Sequence, residues 1–412
     1  MKNIFTIIFI FSSLYSQSEC DGVRYTNEIF SAVNVTSNIQ YGGATNQSLF
    51  CASFYDELYL DIYEPEGDAI DDRPLVFFLY GGSFIAGSKT DGNIVELCTR
   101  YAKMGYVASA INYRLSQCEL NILFGVDAED GYTAAAKAIF DLKAAIRWFR
   151  MNDELYNDYR IDTDRIYAGG FSAGAITAIN AAYMDLDSEI PSFITDYVAD
   201  NGGLEGESGN PGYDSHFHGV INLSGGLGET DWVEAGDVPI VSTHGNEDTV
   251  VPYGDCHEYF TSGTCNDRPG GLCTWIGGEC IGRIELFGLN MEIYGSYAIN
   301  QTMNELGNYS ALHTFGGQDH NIYSGNTLDI TIDFTRDFMV DVVCPPVIIL
   351  GDINADGFWN VQDIILLVQC VLGQYCTELE NAEAADLNGD GVYNIMDVVS
   401  LVNCILGGNC GD

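Results

Sequence analysis

Gly170-Phe171-Ser172-Ala173-Gly174 lies between a short apolar run, Arg165-Ile166-Tyr167-Ala168-Gly169, and a run of helix formers from Ala175 to Met184. G-x-S-x-G after a strand and before a helix marks a sharp turn that lifts a serine off the strand end. Glycine is required on both sides because a side chain there would crowd the turn. In a chain with 46 glycines the five residues alone carry little weight. A buried serine at a glycine-rich strand end would read the same, so partners elsewhere must decide.

Outward from this turn, residues 58–63, 75–80 and 106–113 read as strands. Residues 130–151 read as a long helix, with Ala134, Ala138, Leu142 and Ile146 at four-residue steps. Later strands are expected at residues 220–223, 239–243 and 312–315. Buried strands alternating with helices imply an α/β fold, a mostly parallel sheet covered by helices on both faces. Residues 185–217 form a glycine- and acid-rich excursion between strands, a candidate lid or cleft wall. A glycine-rich insertion follows at 254–283.

A serine hydroxyl becomes nucleophilic at neutral pH only with a base, and the base needs an orienting acid. Both are expected at the carboxyl ends of later strands, in the order Ser, Asp, His. Asp248 follows the strand at 239–243, in His244-Gly245-Asn246-Glu247-Asp248-Thr249-Val250-Val251-Pro252. Glu247 and Asp319 are the competing acids. Of the six histidines, only His320 follows the last strand in a glycine turn, Gly316-Gly317-Gln318-Asp319-His320. His244 and His313 lie in or beside strands and read as structural, and His216 and His218 read as surface residues. The expected catalytic set is Ser172, Asp248 and His320. Donors for a developing oxyanion are expected from the backbone N–H groups of Gly82, Ser83 and Ala173, because Tyr80-Gly81-Gly82-Ser83-Phe84 ends a strand. Phe84, Phe171 and Trp232 lie near strand ends and are candidate pocket residues.

These pieces, with Ile111-Asn112-Tyr113-Arg114, make residues 22–343 resemble an α/β-hydrolase of the carboxylesterase and lipase group. Tyr80 stands where such proteins often have His, and Ser83 where they have a third Gly. The resemblance implies hydrolysis of carboxylic esters through an acyl-enzyme, with no cofactor for the chemistry.

Composition changes at Cys344-Pro345-Pro346, and a duplicated unit follows. Asp352, Asn354, Asp356, Asn360 and Asp363 recur as Asp386, Asn388, Asp390, Asn394 and Asp397, with glycine at loop position 6 in both copies. Backbone carbonyls at Phe358 and Val392 complete two sets of oxygen donors. A hard cation such as calcium takes six to eight such oxygens, so two structural calcium ions are expected. Each loop leads into an apolar helical stretch, and Cys370 and Cys376 recur as Cys404 and Cys410. Residues 351–412 resemble a type I dockerin, which implies a cohesin-type or cell-surface partner. No Lys or Arg follows Arg336, a departure from many dockerins.

The net charge of −43 argues against nucleic acid and anionic membranes as partners. Met1-Lys2-Asn3 and the apolar run 4–15 read as a secretory signal peptide, residues 1–18, cleaved between Ser16 and Glu19. No membrane span is expected. The expected division is then a hydrolase domain at 19–343, a linker at 344–350 and the tail, with an extracellular location. Export makes disulfides the default for the 13 cysteines. Cys20–Cys51 and Cys98–Cys118 are expected pairs, Cys256, Cys265, Cys273 and Cys280 are expected to staple the insertion, and Cys344 is the expected odd one.

The tail suggests work beside polysaccharide-degrading partners, which makes acetyl or feruloyl esters on polymers natural substrates. The same triad would serve a secreted lipase or polyester hydrolase. An inactive scaffold or binding protein would show a lost triad member, and none is lost.

Overall fold

The apolar run ahead of Ser172 becomes a buried central strand in the computed structural model. The model describes residues 20, 22–120, 128–254, 273–276, 279–284, 291–344, 349–354, 356–376, 379 and 381–407. The chain separates into two compact units that divide between Val343 and Cys344.

The first unit begins with β1 (Val33–Gln47), β2 (Ser53–Pro65) and β3 (Arg73–Leu79). Helix α1 (Gly92–Met104), β4 (Val107–Ile111) and the long α2 (Ala128–Leu155) follow. Strand β5 (Ile161–Phe171) leads into α3 (Ala173–Tyr183), and α4 (Thr195–Asp200) lies in the excursion. Next come β6 (Val220–Leu223), β7 (Gly226–Leu227) and β8 (Ile240–Gly245). The insertion supplies β9 (Cys273–Ile276), β10 (Glu279–Ile284) and β11 (Met291–Gly295). The unit closes with α5 (Ser296–Glu305), β12 (Ser310–Phe315) and α6 (Asn326–Val343).

The main sheet runs β1-β2-β4-β3-β5-β6-β8-β12. β1 and β2 pair antiparallel, as do β2 and β4, and every later pairing is parallel. Strands β3, β4 and β6 are buried from end to end, as a sheet covered on both faces requires. The parallel strands bring their carboxyl ends to one edge, so the loops after β3, β5, β8 and β12 meet there. A smaller antiparallel sheet runs β7-β11-β10-β9.

Helix α2 is buried on nearly all sides and carries charges into the interior. Asp141 accepts from the Arg114 backbone N–H at 2.7 Å and from its guanidinium at 2.9–3.1 Å. Ser208 donates to the same carboxylate at 2.6 Å. Glu205 bonds Arg147, Lys143 and Ser215. The Ser208 carbonyl accepts from Gly43 of β1. The 203–215 part of the excursion is therefore strapped to α2 and β1 as a fixed wall.

The disulfides differ from the sequence expectation. Cys51 pairs with Cys118, not with Cys20, and joins the β1–β2 turn to the segment after β4. Cys98 is a buried free thiol on α1, because its side chain faces the packed interior. Cys20 and Cys344 are both disulfide-bonded, so Cys344 is not the odd one. The leader, Cys256, Cys265 and Cys410, and the side chains of Cys273 and Cys280, lie outside the described residues.

The second unit packs α7 (Val361–Gly373) with α8 (Ile395–Gly407) around Leu367, Cys370, Ala384, Ala385 and Leu401. Cys370–Cys376 closes a local loop after α7.

Removing one partner of a buried ion pair leaves the other charge unmatched, at a cost of about 3–5 kcal/mol. Arg114→Met should destabilise the first unit by about that much, read from urea unfolding followed by tryptophan fluorescence.

Candidate active site

Ser172 sits between β5 and α3 with φ 55° and ψ −119°. A non-glycine residue held in such a region costs about 1–3 kcal/mol and needs its surroundings to hold it. Here the Ser172 N–H donates to Leu223 O at 2.9 Å, and Ile176 N–H donates to Ser172 O at 2.9 Å. A Cβ at Gly170 or Gly174 would fall inside van der Waals contact with Leu79 O, so both flanking glycines are needed for close approach to β3. The serine is thus wedged between two strand ends with its hydroxyl directed outward.

Ser172 Oγ donates to His320 Nε2 at 2.9 Å, and His320 Nδ1 donates to Asp248 Oδ2 at 2.6 Å. All three are nearly buried. The other Asp248 oxygen accepts from the N–H groups of Val250 and Val251 at 2.8 and 2.9 Å. Burial alone would raise the Asp248 pKa. The hydrogen bonds from His244 and His320 outweigh it and hold this carboxyl well below its ordinary value. The competing acids are engaged elsewhere. Glu247 is exposed. Asp319 accepts from Thr249 and from the His320 backbone N–H, which orients the loop rather than the imidazole.

The loop after β3 lies against this serine. A Cβ at Gly81 would meet Phe171 and Ser172 Cβ. Gly82, Ser83 and Phe84 follow with φ of 114°, 53° and 61°. The N–H groups of Gly82, Ser83 and Ala173 have no acceptor among the described residues. Ala173 opens α3, where helix N–H groups lack internal partners. Phe171 stands by the site, its ring 5.0 Å from that of His320. Phe84 and Trp232 differ from the expectation of pocket lining. Phe84 is 1% exposed and packs edge-on to Tyr113, and Trp232 is 6% exposed and packs near Gly228.

The sequence reading missed the polar groups packed behind Asp248. His244, read as structural, is buried in β8, and its Nε2 donates to Asp248 Oδ2 at 3.1 Å and to Val251 O at 3.2 Å. A carbonyl only accepts, so Nε2 carries the proton and Nδ1 accepts from Ser296 Oγ at 2.7 Å. Asn222 in turn donates to Ser296 at 2.9 Å. Tyr323 bonds Thr243 O and Ser224 under the Phe171 ring. The spacing of His244 four residues before Asp248 was the available signal. His218, read as a surface residue, is half-buried and accepts from Ile166 N–H.

In the second unit the two loops repeat one hydrogen-bond pattern. Asp352 accepts from Asp356 and Gly357 N–H, as Asp386 does from Asp390 and Gly391. Asp363 and Asp397, both fully buried, accept from Asn360 and Asn394 N–H. Among the described residues no three Asp, Glu, His or Cys side chains converge as a ready cage. Each donor set is mixed instead: carboxylates, the amides of Asn354 and Asn360 or Asn388 and Asn394, and the carbonyls of Phe358 or Val392. All-oxygen donors with buried carboxylates and no Lys or Arg nearby in sequence fit a hard divalent cation.

Residues 60–202 match the family model BD-FAE, and residues 350–406 match the Dockerin type I domain. The chain carries an esterase-like α/β-hydrolase domain and a type I dockerin. Dockerin type I domains bind calcium and cohesin partners. No curated protein matches the chain. Among solved structures it is similar to a thermophilic esterase of the Planctomycetes species Thermogutta terrifontis. The native form shares 19% identity over 80% of this chain and 100% of that one, with TM-score 0.48. The propionate-bound form shares 18% over 73% and 94%, with TM-score 0.47. The tabun-phosphoramylated form shares 19% over 73% and 95%, with TM-score 0.47.

Because folding depresses the Asp248 pKa, its ionised form contributes stability that is fully present above about pH 4. That stability is lost as pH falls through the lower folded value. Asp248→Asn should melt below the parent at pH 7, with the gap closing only in acid below about pH 4. Melting curves from pH 7 to 2 measure it. A hydrogen bond to a charged group is worth about 1.5–3 kcal/mol. His244→Phe should therefore lose about that much stability, and His244→Gln should recover part of it in the same unfolding assay.

Proposed function

We propose that this protein is an exported serine ester hydrolase acting on acetyl or feruloyl esters carried by polysaccharides. The observation that carries the reading is the continuous hydrogen-bond chain from Ser172 through His320 to Asp248, beside three backbone N–H groups free to receive an oxyanion.

In this reading Ser172 Oγ attacks the ester carbonyl while His320 Nε2 takes its proton. Asp248 holds the imidazole and balances its positive charge. The carbonyl oxygen gains charge and moves toward the N–H groups of Gly82, Ser83 and Ala173, which are fixed before reaction and need no reorganisation. His320 then protonates the leaving alcohol. Water, deprotonated by the same imidazole, attacks the acyl-enzyme, and the imidazolium returns that proton to Ser172 Oγ as the acid leaves. The low pKa of Asp248 keeps it ionised, so the histidine retains its orienting partner throughout.

The tail supports the polymer reading, because a dockerin links an enzyme to partners rather than to small substrates. We assign one calcium ion to each loop, held by Asp352, Asn354, Asp356, Phe358 carbonyl, Asn360 and Asp363, and by Asp386, Asn388, Asp390, Val392 carbonyl, Asn394 and Asp397. Bound calcium neutralises carboxylates that the fold otherwise buries without cations. Around the loops the helices expose Val361, Ile365 and Leu372, matched on the second helix by Ile395, Val399 and Leu406. A cohesin-type partner would cover this apolar face. The apolar N-terminal leader, residues 1–18, directs the chain outside the cell.

A fluorophosphonate should label the parent once per chain and leave Ser172→Ala unlabelled, with kcat on p-nitrophenyl acetate down on the order of 10⁴- to 10⁶-fold. A folded parent that resists labelling would remove the hydrolase reading. Acetylated xylan, methyl ferulate and a polyester film, compared on one enzyme, rank the substrate classes. Calorimetric titration of calcium into the chelator-treated chain should give two sites, and Asp363→Ala or Asp397→Ala should each remove one.

A further inference from the structure

Strand β2 runs antiparallel to β4 with Leu60 opposite Ile111, the last residue of β4. Everything in β2 before Leu60 therefore projects past the carboxyl edge of the parallel strands. That is the edge where Ser172, the loop after β3, Asp248 and His320 meet. The β1–β2 turn at its far end is tied down by Cys51–Cys118. Despite this anchoring it presents large apolar side chains to solvent. Phe50 is 85% exposed, Tyr55 65%, Leu49 48% and Phe54 43%. Exposed apolar side chains grouped on one anchored turn mark a surface that binds something.

Beside this turn lies a groove of about 330 Å³, within the size range of ligand sites of roughly 300–1,000 Å³. Phe54, Asp56, Gln47, Asn112 and Gln117 are among its walls, and Tyr80 stacked on Tyr113 lies behind them. The groove is joined to the reaction site through covalent neighbours. Tyr80 leads directly into Gly81, and Gln117 donates to Ile85 O in the loop that carries the oxyanion donors, at 3.2 Å.

The lining chooses the ligand. Amides, hydroxyls and carboxylates outnumber apolar groups, so the groove gives an acyl chain no continuous apolar wall. No Lys, Arg or His lines it, while Asp56 and Glu57 do, so an anionic polymer would be repelled. Hydrogen-bonding groups of both kinds beside the exposed Phe54 ring match a chain of neutral sugar rings. Their hydroxyls both give and take hydrogen bonds, and their C–H faces stack on aromatic rings. We propose that this groove and the Phe50–Phe54 turn form a subsite for the main chain of a neutral polysaccharide, on which Ser172 hydrolyses a pendant ester. The subsite rests on the ester-hydrolase reading above and adds to it the class of polymer held during reaction.

The test compares the full-length parent with Phe54→Ala, Phe50→Ala and Phe54→Trp, on soluble acetylated xylan and on p-nitrophenyl acetate. The readout is the ratio of kcat/KM on the polymer to that on the small ester. One aromatic contact is worth about 0.5–1.5 kcal/mol, so the ratio should fall roughly threefold to tenfold in each alanine variant. Phe54→Trp, which keeps a flat face, should restore it. Phe50 is so exposed that its loss leaves folding intact, which guards against a misfolded Phe54 variant. An unchanged ratio in both alanine variants overturns the subsite. So does a parent that cleaves p-nitrophenyl acetate and leaves the xylan untouched. A fall confined to a polyester film or an emulsified long-chain ester also overturns it, because the turn would then be an apolar anchor. A parent inactive on every ester removes the hydrolase reading itself, a result distinguishable from the others.

Discussion

The strained turn at Ser172 is the constraint on which the rest of the first unit depends. Its backbone is held in a conformation that a free serine rarely adopts. It persists because Gly170 and Gly174 let β5 and α3 close onto Leu79 O, and because Leu223 O receives the Ser172 N–H. Three neighbouring strands, β3, β5 and β6, therefore fix one hydroxyl. The same arrangement places Ala173 at a helix start, where its N–H has no internal acceptor. The Ser172 hydroxyl and the open Ala173 N–H come from one piece of backbone geometry.

Asp248 plays the corresponding part on the other side of the site. One of its oxygens is held by backbone N–H groups, and the other receives two imidazoles, His320 from the site and His244 from within the sheet. The inner histidine is itself fixed by Ser296 and Asn222. A single carboxylate thus joins the buried polar core, through His320, to Ser172. Satisfying every donor and acceptor along this path is what makes a charged group tolerable in so enclosed a place.

Farther out, buried charge does structural work. Arg114 with Asp141, and Glu205 with Lys143 and Arg147, hold α2, β1 and the 203–215 wall together. This arrangement explains why the glycine-rich excursion is strapped down. The tail follows another rule. Its core is small, and its two loops gather carboxylates with no basic residue in the sequence around them. Such a unit relies on a bound cation and a local disulfide where a larger domain would rely on apolar burial.

Strands with continuous apolar runs, such as β3, β4 and β6, were legible because burial on both faces leaves a plain pattern. The repeated loops of the second unit were legible because Asp, Asn and Gly recur at the same spacings within two short segments. Ser172, Asp248 and His320 were legible by type, order and position after strands. β1 escaped because most of its outward residues are polar and its pairing with β2 supplies what the pattern lacks. The Cys51–Cys118 pairing escaped because sequence separation says nothing of which two thiols a fold brings together. His244 escaped for a related reason: a histidine in a strand reads as packing, and only the closing of β8 against Asp248, with Ser296 behind it, gives the ring its partners. Local chemistry was written in the chain, while contacts across the sheet were decided by tertiary structure, because distance in space follows strand order rather than residue number.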